Sequence, residues 1–207
     1  MIKNIIFDWS GVIIDNTNNV YLAVMGFWHR FGLEPITFEQ FRQEFKLPVM
    51  DFYDKYLLSK VSFEEQKDIF TEEYAKLQKA GPYNYIVDLL GRLKEIGFKM
   101  AVISSDPAVH LRQAMNDYGM DDIFIDIKTD LHNKKEALAE VIRNNNFQPE
   151  ETLFIGDTTH EIEVGKELGI KTAGVTWGIQ LEDKLRSANP DFIFHNLEEM
   201  EKTILGE

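Results

Sequence analysis

Apolar and polar positions follow two rhythms along this chain. Short, mostly apolar runs at residues 2–7, 99–103 and 152–155 are too brief for helices and have the character of strands buried on both faces. Each runs into polar atoms: Asp8 after the first, Ser104 and Ser105 after the second, Gly156 and Asp157 after the third. A fourth strand is expected at 173–176, leading to Trp177 and Gly178. Residues 85–97 and 161–168 place apolar side chains at helical spacing and stop at Gly97 and Gly169. Buried strands alternating with amphipathic helices predict a doubly wound α/β fold, a parallel sheet covered on both faces. In such sheets ligands bind beyond the C-terminal strand ends, which is where the carboxylates and hydroxyls collect.

Residues 16–81 break the rhythm. They hold aromatic-rich helical stretches at 21–31, 38–45, 52–58 and 63–77 without a convincing strand, punctuated at Gly32, Pro35, Pro48 and Ser62 and closed by Gly81-Pro82. The expected organisation is an α/β core formed by 1–15 and 82–207, with an all-helical cap inserted at 16–81. Because the insert leaves just after Asp8, it should sit over the strand ends, its aromatics forming mainly its own core.

Composition narrows the function. A chain of 207 residues has room for one core carrying an inserted module. With no cysteine, disulfides and thiolate chemistry are excluded, and any metal must be held by oxygen or histidine. A formal charge of -13 without a basic stripe disfavours nucleic acid. It does not disfavour a phosphorylated small molecule, since one cation and a few donors invert the sign of a local site. The opening residues lack the pattern of a signal peptide and no run of about 18 apolar residues occurs, so the expectation is a soluble cytoplasmic protein, monomer or homodimer, with no membrane partner.

The segment Phe7-Asp8-Trp9-Ser10-Gly11-Val12-Ile13-Ile14-Asp15 resembles the first signature of the haloacid dehalogenase-like (HAD) superfamily, and three further signatures follow in order: Ser104, Lys134, and Gly156-Asp157-Thr158-Thr159-His160-Glu161. The resemblance extends over nearly the whole chain and is nearest to phosphoglycolate phosphatase-like members with a helical cap. It implies a Rossmann-like core and a Mg²⁺-dependent phosphatase acting on a small phosphorylated metabolite. Asp8 is then the nucleophile that forms an aspartyl phosphate. Asp8, Asp157, the backbone carbonyl of Ser10 and Glu161 are the metal ligands, and Ser104, Ser105 and Lys134 bind the phosphate. Phosphoryl transfer needs these parts: an in-line nucleophile, a cation against the phosphoryl oxygens, and fixed donors.

Two positions depart from the family pattern. Glu161 stands where the family usually has Asp, which leaves direct ligation open; Lys135 is an alternative to Lys134 on composition alone. More consequential is Ser10, found where HAD phosphatases usually carry an acid/base Asp; a serine hydroxyl can donate a hydrogen bond but, at its usual pKa, cannot act as acid and base near neutrality. Two readings therefore stand. One is a phosphatase slowed by Ser10, selective for good leaving groups, or assisted by another acid such as His160 or a cap residue. The other is a catalytically impaired HAD-fold protein that binds a phosphorylated ligand or protein partner. A phosphonatase would require a cap lysine, with Lys46, Lys55 and Lys60 as candidates. His132 and His160 fall near the presumed site by position, and Asp106-Pro107 reads as capping and first-turn chemistry of the following helix.

Overall fold

The computed structural model describes residues 1–57, 61–131 and 134–207. Lys60 and His132 lie outside the described residues. Six parallel strands, β1 (Asn4–Phe7), β2 (Lys99–Ile103), β3 (Asp126–Lys128), β4 (Thr152–Gly156), β5 (Lys171–Val175) and β6 (Phe192–Phe194), form one sheet in the order β3-β2-β1-β4-β5-β6. The chain reverses direction across the sheet at β1, so the crevice at the switch point opens beside the end of β1. β1 and β4 pair with Phe7 opposite Ile155, and Asp8 and Asp157 consequently leave adjacent strand ends.

Helices α1 (Thr17–Arg30), α2 (Phe38–Glu44), α3 (Met50–Tyr53) and α4 (Phe63–Tyr74) occupy the insert between β1 and β2. They pack about a cluster of their own that includes Val24, Phe27, Trp28, Phe41, Phe52 and Tyr53. Trp28 stacks on Phe52, and Phe27 meets Tyr53 edge to face, so the aromatic content of this segment goes mainly into a core. Helices α2 and α4 begin at Thr37 and Ser62, whose side chains accept from Gln40 and Glu65 backbone amides.

The remaining helices are α5 (Ile86–Ile96), α6 (Ala108–Asp117), α7 (Lys134–Asn144), α8 (Thr159–Glu167), α9 (Glu182–Ser187) and α10 (Leu197–Leu205). Helix α5 seats Ile86, Leu89, Leu90 and Leu93 against one face of the sheet, while Leu138, Val141 and Val164 of α7 and α8 cover the other. Trp9 is buried in the first of these layers, with Trp177 packed against it. No helix among the described residues is long and apolar enough to cross a membrane.

The insert is tied to the sheet side by a polar clasp. Arg42 on α2 donates to the carbonyls of Thr176, Gly178 and Ile179 at 2.9, 2.9 and 3.0 Å. Gln180 Nε2 returns a bond to the Phe45 carbonyl at 2.8 Å, and Lys184 Nζ donates to the Gln43 carbonyl at 2.9 Å.

Candidate active site

Asp8 begins where β1 ends. Its backbone amide still belongs to the sheet, donating to the Ile155 carbonyl at 2.9 Å, so the side chain is fixed at the switch-point crevice. Lys134, the first residue of α7, reaches across from the other face of the sheet with Nζ 3.0 Å from Asp8 Oδ1 and 2.7 Å from Glu161 Oε1. Lys135 points elsewhere, pairing on the surface with Glu167.

Glu161 serves the start of α8 as well as the site. Its Oε2 accepts from the Thr158 amide at 3.0 Å and from the Thr158 hydroxyl, closing a capping box, while Oε1 receives Lys134. Asp157 is held from two sides. Its Oδ2 accepts from the Ile179 amide at 2.8 Å, and its carbonyl accepts from the Gln180 amide at 3.2 Å. Gly11 and Gly178 hem it in. A Cβ on Gly11 would come within 2.0 Å of Asp157 Oδ2, and one on Gly178 within 2.2 Å of Asp157 Cβ; Gly11 also has φ +73°. Both positions require glycine for close approach, and Gly11 requires it for conformation as well.

Three carboxylates, from Asp8, Asp157 and Glu161, thus gather with one oxygen each inside 4.8 Å, all buried, against one buried ammonium. Burial, only partly opposed by Lys134, pushes Asp8 up to about 7. Burial followed by the charges of Asp8 and Glu161 raises Asp157 well above the ordinary carboxylate range. Glu161 also suffers burial, but Lys134 and Thr158 outweigh it and hold it below its ordinary value. For Lys134, burial disfavours the charge, yet Asp8 and Glu161 more than compensate and keep it protonated. The cluster is short of positive charge.

Ser104 is buried at the end of β2, its amide donating to the Lys128 carbonyl and its Oγ accepting from the Asp106 amide at 3.0 Å. Ser105 is exposed and faces a cavity of about 470 Å³ between the insert and the strand ends. Val24, Phe45, Tyr53 and Phe70 line it on one side, with Lys134 and His160 on the other. Tyr53 is fully buried on that wall, with Gln66 as the polar neighbour of its hydroxyl.

Ser10 is not isolated. Its hydroxyl donates to Asp106 Oδ2 at 2.6 Å and accepts from Asn16 Nδ2 at 3.0 Å. The assignment of Asp106 to helix capping is corrected here: the first amide of α6, Ala108, donates instead to Asp130 Oδ2 at 3.0 Å, and Asp106 turns its side chain into the site. The sequence signal for this role was available only as a carboxylate at the end of the neighbouring strand. Arg42 left no motif at all. Of the candidate cap lysines, Lys46 pairs with Asp51 and Lys55 with Glu44, whereas Lys67, unremarked in the sequence, lies on the cavity wall. His29 and His110 are exposed, and His195 pairs with Glu182 and Glu199 on the surface.

An open parallel α/β sheet with a carboxylate and lysine cluster at its switch point defines a class of enzyme cores with oxygen-lined sites at the strand ends. Within that class, residues 5–175 match the family model of the haloacid dehalogenase-like hydrolases, and the chain belongs to that family. It is 31% identical over 196 residues to a phosphoglycolate phosphatase of Aquifex aeolicus (strain VF5), covering 91% of this chain and 90% of that protein. It is 29% identical over 221 residues to the pyrophosphatase PpaX of Anoxybacillus flavithermus (strain DSM 21510 / WK1), covering 99% and 97%. In structure it resembles a haloacid dehalogenase-like family hydrolase from Streptococcus pneumoniae with a TM-score of 0.83 at 21% identity, covering 100% of this chain and 99% of that one.

Proposed function

We propose that this protein is a phosphatase hydrolysing a small phosphorylated metabolite through an aspartyl phosphate on Asp8, with a divalent cation, Mg²⁺, as cofactor. The observation that carries the reading is the buried cluster of Asp8, Asp157 and Glu161 about Lys134 at the switch point. Its all-oxygen donor set and its deficit of positive charge suit a hard divalent cation. Asp8 and Asp157 would hold it together with the Ser10 carbonyl, and Glu161 is the third carboxylate, oriented by Lys134 and Thr158. When bound, the cation offsets charge on the phosphoryl oxygens.

The remaining work falls to the chain itself. Lys134, 3.0 Å from Asp8, favours the ionised carboxylate against the effect of burial and neutralises charge as the phosphate dianion approaches. Ser104 and Ser105, where β2 ends, offer donors to the phosphoryl oxygens. The segment 16–81 acts as a cap: its apolar wall over the cavity excludes water and selects the leaving group, which is expected to have an apolar body. The names of the relatives, phosphoglycolate phosphatase and pyrophosphatase, support phosphate-ester or anhydride chemistry.

The test is release of p-nitrophenol from p-nitrophenyl phosphate by wild type and by an Asp8→Asn variant shown to be folded. The expected result is turnover that EDTA abolishes, Mg²⁺ restores and the variant lacks. Wild type that binds a phosphate ester but never turns it over would give the site to ligand binding instead.

A further inference from the structure

Helix α4 turns one face toward the cavity between the insert and the strand ends. Phe63, Gln66, Lys67 and Phe70 all line that cavity, and their spacing of i, i+3, i+4 and i+7 puts them on one stripe of the helix. An inward stripe is ordinarily apolar throughout, yet the middle of this one is Gln and Lys. Gln66 is accounted for, buried beside the Tyr53 hydroxyl. Lys67 is not. We propose that Lys67 determines specificity by anchoring a second anionic group of the substrate. The leaving group is then an alcohol or phenol with an apolar body and an anion at its far end. This deepens the phosphatase reading and rests on it.

Charge, depth and size point the same way. Among the described residues, Lys67 is the one charged side chain that the insert contributes to the cavity, beside apolar groups such as Val24, Phe45, Leu47 and Val49. It makes no ion pair with a carboxylate among the described residues, in a chain where acidic groups outnumber basic ones 35 to 22. Lys134, on the opposite wall, is committed to Asp8 and Glu161. The two lysines also differ in depth, Lys134 being buried and Lys67 exposed. A phosphoryl group that reaches Asp8 therefore meets Lys134, and Lys67 is left for the end of the ligand nearer solvent. The cavity, about 470 Å³, falls in the range of ~300–1,000 Å³ that encloses a whole small ligand. That is more room than phosphoglycolate or pyrophosphate, the compounds in the relatives' names, would fill.

A merely structural role for Lys67 is well defined: its methylene stem covers apolar surface while the ammonium reaches water, and the charge itself is idle. An anchoring role makes the charge matter. The contact lies away from the breaking bond, so it is made alike in the ground state and the transition state and is read in KM rather than kcat. An ion pair in open water is worth little, and one beside an apolar wall is screened less; between these limits the preference for an anionic substrate should be about five- to tenfold.

The test compares para-propylphenyl phosphate with para-carboxyethylphenyl phosphate in the Mg²⁺-loaded full chain. The two esters share ring, leaving oxygen and length, and differ in ending on methyl or carboxylate. Wild type should favour the carboxylate in kcat/KM by that factor, through KM. In Lys67→Met, which keeps the stem and loses the charge, the ratio should fall to one or below. Lys67→Arg should keep the preference, and Lys67→Glu should transfer it to para-aminoethylphenyl phosphate. Equal kcat/KM on both esters in wild type overturns the anchor and leaves the phosphatase standing. So does a preference that survives Lys67→Met, or a Lys67→Met variant that slows both esters equally. Calorimetry with para-propylbenzylphosphonate and its carboxyethyl counterpart, which cannot be hydrolysed, reads the same contact without turnover. No EDTA-sensitive turnover of either ester, with a Lys67-dependent preference between the phosphonates, removes the phosphatase reading and keeps Lys67 as the anchor of a bound ligand. No turnover and no such preference removes both.

Discussion

Replacing Arg42 by Ala probes how the helical insert and the loop after β5 hold each other. Its guanidinium donates to three carbonyls in the stretch 176–179, at 2.9, 2.9 and 3.0 Å. That stretch carries the Ile179 amide that fixes Asp157 at 2.8 Å and the Gly178 that packs against Asp157 Cβ. A hydrogen bond from a charged donor contributes ~1.5–3 kcal/mol. Three at the lower figure would give about 4.5 kcal/mol, and because the guanidinium is half-buried, water recovers part of it in the variant. The expected destabilisation is about 3 kcal/mol, which for a chain of 207 residues lowers Tm by ~6–12 °C. Loss of the clasp should also reduce kcat about tenfold or more, because a misplacement of ~1 Å at a catalytic group can cost a factor of ~10². Arg42→Lys keeps the charge but not the planar fork, and should recover less than half of the stability. Urea unfolding with Tm and steady-state kinetics on p-nitrophenyl phosphate are the assays. An Arg42→Ala variant within ~0.5 kcal/mol of wild type, the ordinary range of a surface substitution, would refute the reasoning.

Two further outcomes follow from the charges. Mg²⁺ at about a hundred times its Kd should stabilise the fold by ~2.7 kcal/mol, raising Tm by about 5–11 °C, and Asp157→Asn should abolish the shift; a saturating titration that leaves Tm unmoved would count against the metal site. On the surface, the hydrogen bonds of Glu199 and Glu182 raise the pKa of His195. The folded state thus binds this proton more tightly than the unfolded one, so the contribution is present below the ordinary histidine pKa and lost as pH rises through the folded value. An NMR titration of the ring should place its midpoint above 6.5, and one at or below that value would show the pairs to be absent in solution.

The four central strands were legible because a parallel strand covered on both faces must be apolar nearly throughout, as β1 and β4 are. The edge strands β3 and β6 were not: each has three residues, half-buried except for Phe194, and gives no run to detect. The carboxylate end of the site follows from local order, since Asp8 and Asp157 each sit just past a readable strand and the β1–β4 pairing brings those ends together. Asp106 and Arg42 act through contacts 96 and more than 130 residues away in sequence, where no local rule reaches. Beside Pro107, Asp106 looked like a helix start; only the fold shows Asp130 already filling that place.

Glu161 shows how one substitution of side-chain length joins two tasks. A carboxylate at the third position of a helix can bond back to the N-cap amide, and Glu is favoured over Asp there because the extra methylene lets it reach. Here one oxygen closes that box with Thr158 while the other meets Lys134 at 2.7 Å, on the helix that enters from β3. The start of α8 and the orientation of the lysine that faces Asp8 are therefore fixed by a single buried group. Since removing one partner of a buried pair strands the other charge, at a cost of ~3–5 kcal/mol, the local fold of α8 and the electrostatics of Asp8 cannot vary independently. The longer residue thus keeps both the capping box and the contact with Lys134.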